Sequence, residues 1–266
     1  MSKQPTKTLT IGGWDPCGAF GTAADLKTFT AHQCHGMAIL TVATAQNSKT
    51  WLGAQFLPAE FVAQQLDAVL SDYGADGVKS GFLGRVDLIE VIVESLTRYQ
   101  INPLVVDPVL VNNRGVTMFG PEVIAAYLEK LMPLAEIITP NVEEARVLLG
   151  REPLDESISG QLLAQELQQQ LAVPHVLITG EREGMFAVDW WSSAEGLIRL
   201  PRPWQQTRNV SGSGDTFSAA LVCQLAQGRP MGDAIIQAQA FVQRAIGRGK
   251  GWQLGQGAGP TGNIAV

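Results

Sequence analysis

Apolar runs of strand length take turns with stretches of helical period along most of the chain. TLTIGG leads into GTAADLKTFTAHQ, GMAILTVATAQ into PAEFVAQQLDAVLSDY, and DGVKSGFL into VDLIEVIVESLTRY. The alternation continues through PLVVDPVL and PEVIAAYLEKLM, then EIITPN and VEEARVLLG, with HVLITG following the amphipathic segment SISGQLLAQELQQQLA. Apolar positions three and four residues apart mark the helices, and short apolar blocks bounded by turn residues mark buried strands. Strand and helix in alternation predict right-handed crossovers, hence a mostly parallel central sheet with helices on both faces. Such sheets bind ligands at the C-terminal ends of their strands.

Towards the end the pattern changes. MFAVDWW and GLIRLPR predict a short antiparallel edge, and SGSGDTFSAALVCQLAQG with MGDAIIQAQAFVQRAIGRG predict two helices. The glycine-rich GKGWQLGQGAGPTGN predicts a flexible end, since glycine loses much backbone entropy on ordering. No repeat and no linker of domain length is visible, so residues 1–266 are expected to form a single α/β domain.

Composition excludes several classes of function. Hydrophobic residues make up 45 % of the chain and charged ones 17 %, a globular balance. A net charge of −6 offers no field that would gather nucleic acid or anionic lipid, so neither is expected as a partner. Phosphates would have to be held locally, by backbone N–H groups, helix N-termini and a metal ion. Cys17, Cys34 and Cys223 are scattered without a CxxC pair, which argues against a disulfide framework or a zinc site and fits a reducing cytosol. His32, His35 and His175 share no metal spacing. The start MSKQPTKTLTIGG has no long apolar run, and no stretch of about 18 apolar residues occurs, so a soluble, cytoplasmic protein is expected.

The sharpest chemical feature is SGSGDTFSAA, where Gly212, Ser213 and Gly214 run into a helix whose first turn contains Asp215. Unpaired N–H groups at such a helix start, with the positive end of its dipole, stabilise charge on a phosphoryl group in transfer. A carboxylate beside that anion hole can take the proton of an attacking alcohol. An ordinary capped helix would use the same residue types, so the motif needs company. Asp107 supplies it at the end of the apolar strand PLVVDPVL. Asn141 ends the strand EIITPN, and Glu143 and Glu144 enter the helix that follows. Magnesium prefers carboxylates, water and phosphate oxygens, so Asp107, Asn141 and Glu144 could form a loose, water-mediated shell. Together these point to phosphoryl transfer.

DPCGAFGTAADLKTF, TVATAQN, VKSGFLG, VVDPVLV, ITPNVEEARVLLG, SGSGDTFSAA and GQGAGP stand in the order found in hydroxymethylpyrimidine and phosphomethylpyrimidine kinases, which the chain resembles from about Thr8 to Pro260. The resemblance implies a ribokinase-like fold, ATP and Mg2+ as cofactors, a pyrimidine or pyridine alcohol as substrate, and a homodimer. It assigns Asp215 as base, Gly212, Ser213 and Gly214 as anion hole, and Asp107 with Glu144 as metal residues. The ring pocket it implies is formed by Gly13, Asp25, Gln46, Phe82 and Val109, with Asn141, Thr179 and Gly180 on the nucleotide. The Gln46 amide suits an aminopyrimidine's donor and acceptor edge, Asp25 can receive a ring amine, and Phe82 offers a stacking face.

Departures from the family pattern bear on the substrate. Many members carry cysteine where this chain has Asp215, and the acidic version is usual in ribokinases and pyridoxal kinases. Thr179 replaces a common lysine, and Asn113 and Arg114 replace Lys-Ser, which weakens the expected grip on phosphates. The second phosphorylation, of the monophosphate, is the step this affects. Cys17 stands where serine is typical and is read as a loop residue, and Cys223 as core. Trp190, Trp191 and Trp204 fit either a nucleotide-site lining or a separate aromatic cluster. The leading expectation is a kinase for 4-amino-5-hydroxymethyl-2-methylpyrimidine in thiamine biosynthesis. A pyridoxal or pyridoxine kinase is the alternative, followed by a catalytically silent vitamin- or nucleotide-binding regulator.

Overall fold

Nine strands form one sheet in the order β3-β2-β1-β4-β5-β6-β7-β8-β9. They are β1 (Lys7–Trp14), β2 (His35–Gln46), β3 (Trp51–Phe56), β4 (Gly77–Ser80), β5 (Leu104–Val106), β6 (Ile137–Ile138), β7 (His175–Glu183), β8 (Phe186–Ser193) and β9 (Gly196–Pro203). This computed structural model describes residues 4–112 and 114–263, so the expectation for Asn113 lies outside the described residues. β2, β1, β4, β5, β6 and β7 run parallel, while β3 at one edge and β8 with β9 at the other are antiparallel. The mostly parallel sheet and its antiparallel edge are as the alternation predicts. The second edge, β3, is an addition. WLGAQF carries no legible pattern because most of its side chains are exposed.

Side chains alternate across the sheet, and each face has its own core. Leu9, Ile11, Val78, Val106 and Ile138 face α2 (Ala59–Asp72), α3 (Val86–Arg98), α4 (Pro121–Ala126), α5 (Val142–Leu148) and α6 (Gly160–Gln170). Val105, Ile137 and Leu177 face α1 (Gly21–Ala31), α7 (Ser213–Ala226) and α8 (Met231–Gly249). Thr8 and Thr10 also turn to this second face, where they are buried between β1 and its helices. No helix among the described residues is long and apolar enough to cross a membrane.

The glycine-rich end is ordered, contrary to the flexible segment its composition predicts. Asn209 donates to the Gly249 and Trp252 carbonyls and accepts from the Gly259 amide, each at 2.8 Å. Thr261 and Asn263 are buried against Thr216 and α1. The same segment touches the β2–β3 turn, where Lys49 Nζ lies 2.6 Å from Gln256 Oε1 and the Gly257 amide donates to Ser48. Close backbone approach explains the glycines here: a Cβ on Gly257 would lie 1.9 Å from the Ser48 carbonyl oxygen.

Candidate active site

Three carboxylates converge on one buried lysine. Lys79 on β4 is fully buried, and its Nζ lies 2.7 Å from Asp25 on α1, 3.0 Å from Asp215 in the first turn of α7 and 3.9 Å from Asp107 just after β5. Thr10 Oγ1 donates to the second oxygen of Asp25 at 2.6 Å, and Ser218 Oγ donates to Asp107 at 2.8 Å. Each acid therefore has a fixed orientation. The side chain of Asp215 keeps 12 % exposure, against 9 % for Asp107 and 2 % for Asp25, so Asp215 is the most open of the three.

Burial on its own would drive the Lys79 ammonium towards its neutral form, but the charges of Asp215, Asp25 and Asp107 outweigh it and hold the lysine protonated. Burial also pushes Asp25 up to about 7 and Asp107 up to about 6, against the pull of Lys79. Glu144 is pushed up to about 8, first by burial and then by the charge of Asp107. Three carboxylates around a single ammonium leave the cluster short of positive charge.

The start of α7 supplies the donors. Gly212 caps the helix in the left-handed region, with φ +74°, and a Cβ there would lie 1.8 Å from the Ala19 carbonyl oxygen. Only glycine satisfies both conditions. Among the described residues the amides of Gly212, Gly214 and Asp215 have no protein acceptor, whereas Ser213 spends its N–H on the Val210 carbonyl at 3.0 Å. The free amides are thus a different set from Gly212, Ser213 and Gly214, with Asp215 taking the place of Ser213. Opposite them, Asp15 folds the DPCGAF loop by accepting from the amides of Cys17, Ala19 and Phe20.

The expected ring pocket comes together in part. Gly13 sits at a register shift between β1 and β2, where a Cβ would press on Val42 at 2.9 Å and approach Phe82 at 3.6 Å. Phe82 is partly buried and packs on Phe56 and Phe119, at ring centroid distances of 6.2 and 5.1 Å. Gln46 ends β2 with its side-chain amide free of protein partners among the described residues, and Val109 is partly buried in the loop after β5. Asp25 departs from the expectation. Both of its oxygens are engaged and it is enclosed, so its geometry is that of a partner for Lys79 rather than of an open acceptor for a ring amine.

Asn141 and Glu144 form a reciprocal cap at the start of α5: Asn141 accepts from the Glu144 amide at 2.8 Å, and Glu144 accepts from the Asn141 amide at 3.1 Å. The other oxygen of Glu144 accepts from Leu110 at 3.1 Å. Thr179 bridges to Asn141 near the end of β6, and Gly180, with φ +79°, donates to Asp189 at 2.8 Å. Trp190 packs on α6 and donates to Glu181, Trp191 tilts against His175, and Trp204 lies under Arg182. These contacts give each tryptophan a packing role. Cys223 is core and Cys17 is an exposed loop residue, as expected.

Lys79, Thr10, Ser218 and Asp15 were not anticipated as site residues. The signal for Lys79 was present in VKSGFLG, a lysine inside an apolar strand that must find carboxylates if the strand is central.

A parallel sheet carrying a glycine-started helix, free amides and an oriented carboxylate at its C-terminal edge defines a ribokinase-like phosphotransferase acting on an alcohol. The sequence matches the family model for phosphomethylpyrimidine kinase over residues 15–262, and the chain belongs to that family. It is 36 % identical over 253 residues to hydroxymethylpyrimidine/phosphomethylpyrimidine kinase of Rhizobium meliloti, covering 95 % of each chain. Among solved structures it is similar to the ADP complex of Bacillus subtilis pyridoxal kinase, with a TM-score of 0.87, 33 % identity and 97 % of each chain covered. It is also similar to Staphylococcus aureus pyridoxal kinase in complex with AMP-PCP, with a TM-score of 0.88, 31 % identity and 98 % and 94 % coverage.

Proposed function

We propose that the protein transfers the terminal phosphoryl group of ATP to the hydroxymethyl group of 4-amino-5-hydroxymethyl-2-methylpyrimidine, a step of thiamine biosynthesis. One observation carries the reading: Asp215, the most open of the three acids, is held by Lys79 next to the unpaired amides that begin α7. Asp215 removes the alcohol proton as the oxygen attacks, and the free amides stabilise charge on the moving phosphoryl group. Gln46 presents acceptor and donor to the aminopyrimidine edge, and Phe82 stacks on the ring. Asn141, just after β6, and Thr179 and Gly180, midway along β7, face the nucleotide.

The donor set fits magnesium held through water. Asp107 and Glu144 are buried acids whose charges oppose each other, and no group of three or more ligating side chains able to hold an ion directly occurs among the described residues. The ion would offset phosphate charge. The oligomer is proposed to be a homodimer, supported by Trp51 and Leu52, which are 54 % and 76 % exposed on the edge strand β3. Light scattering after size exclusion tests this, and a monomer at micromolar concentration would refute it.

Pyridoxal is the competing substrate, favoured by aspartate rather than cysteine at position 215 and by the likeness to pyridoxal kinases. Steady-state rates with both alcohols decide between them. The aminopyrimidine is expected to give the higher kcat/KM; a value about tenfold or more higher for pyridoxal reverses the assignment.

A further inference from the structure

A cleft of about 440 Å3 opens beside the C-terminal end of α1, between it and α8. It lies away from the site above, with Gln224 roughly 13 Å further along α7 than Asp215 at the ordinary helical rise. Arg229, Arg244 and Arg248 line it, and no aspartate or glutamate does. This is unusual on an acidic protein. Elsewhere Arg85, Arg98, Arg151, Arg199 and Arg202 each pair with a carboxylate, while Arg114, Arg146, Arg182 and Arg208 have no ion pair among the described residues but do not line this cleft. The three cleft arginines have no ion pair and no side-chain hydrogen bond among the described residues. Cations near helix C-termini are often placed for the dipole, which accounts for any one of them but not for three converging on one hollow.

The floor of the cleft contains a second mismatch. Gln224, only 6 % exposed, has its amide 2.9 Å from His32 Nδ1, while Gln224 Oε1 and His32 Nε2 are buried without partners. If the glutamine donates to Nδ1, neutral His32 carries its proton on Nε2. If amide and tautomer are exchanged, the glutamine NH2 takes the unpartnered place. Either arrangement leaves an N–H donor lacking an acceptor, in a cleft already crowded with donors.

We propose that this cleft binds a phosphorylated small molecule, whose phosphate or diphosphate group is held by Arg229, Arg244 and Arg248. Guanidinium groups match phosphate oxygens in two-point hydrogen bonds. The volume exceeds that of a bare phosphate and falls in the range of small-ligand sites. The proposal is independent of the reaction assigned to the active site.

Calorimetry with inorganic pyrophosphate, without magnesium and at about 50 mM salt, tests it; phenyl phosphate serves as a second titrant representing an ester. The intact protein is expected to bind pyrophosphate at one site with a dissociation constant of about 1 mM or below, and an R229Q/R244Q double variant to bind at least about tenfold more weakly. R248Q alone is expected to weaken binding several-fold, with thermal melts unchanged in all variants because these side chains are exposed. Comparable binding of phenyl phosphate assigns the site to esters, and binding of pyrophosphate alone assigns it to diphosphate groups. The proposal is overturned if the variants retain wild-type affinity, which would place the anion elsewhere. It is equally overturned if the intact protein shows no binding up to about 10 mM, or only binding that vanishes at about 150 mM salt, the mark of an adventitious ion only.

Discussion

Lys79 Nζ stands 3.0 Å from Asp215 Oδ1, so the residue proposed as the base is anchored to the interior of the sheet by an ion pair. The same ammonium serves Asp25 and Asp107. Replacing it with methionine keeps most of the unbranched side chain and removes the charge that holds three buried acids together. K79M is expected to lose about 3–5 kcal/mol of stability at neutral pH, the usual cost of breaking a buried ion pair from one side. Urea unfolding measures this, and a loss below about 1 kcal/mol would show that Lys79 does not organise the cluster.

Asp215→Asn isolates the proton-transfer role. Asparagine preserves shape and can still approach the lysine through its carbonyl, and Asp25 remains to pair with Lys79. Turnover is expected to fall by roughly two orders of magnitude or more, with KM for the alcohol nearly unchanged, because only the transition state needs the base. A variant that keeps wild-type kcat would remove Asp215 from the chemistry.

These two positions differ in how far the sequence disclosed them. Asp215 was legible because glycine, serine and aspartate at a helix start carry their chemistry locally. The parallel strands were legible for a similar reason, each being an apolar run between turn residues. Lys79 acquires its meaning only when residues from α1, β5 and α7 meet around it, and no local pattern encodes that convergence. Asp25 fails in the complementary way: a family position for ring binding turns inward here because Thr10 and Lys79 claim both its oxygens. β3 escaped notice because a mostly exposed edge strand need not alternate. The composition of the glycine-rich tail speaks only to backbone entropy, whereas Asn209 and the close approach to Ser48 hold it in place.

Gly212→Ala tests the anion hole by geometry. A methyl group would meet the Ala19 carbonyl oxygen at 1.8 Å in a backbone region that disfavours it, so the loop must move. The amides of Gly212 and Gly214 would shift with it. Activity is expected to drop by about 100-fold or more, in line with losing an oxyanion donor, while Asp215 itself is untouched. Near wild-type turnover in a coupled ADP-release assay would mean that the phosphoryl group is stabilised elsewhere.

Glu144→Gln tests the electrostatics of the buried acids through pH. Burial, followed by the charge of Asp107, raises Glu144 from an ordinary value near 4.5 to about 8 in the folded chain. The folded protein therefore holds this proton more tightly than the unfolded chain does. The stabilisation from that proton is complete below about pH 4.5, declines as the pH rises, and is lost once the folded group ionises above about pH 8. Glutamine cannot ionise, and its carbonyl can still accept one of the two backbone N–H bonds. The melting temperature of E144Q relative to the parent is accordingly expected to become more favourable from pH 5 to pH 8.5. The opposite trend would mean that Glu144 is ionised and stabilising in the folded chain, as it would be with a tightly held cation beside Asp107. Adding magnesium should therefore reduce the difference between the two proteins at pH 8.5, because a cation beside the pair stabilises the ionised form that only the parent can adopt.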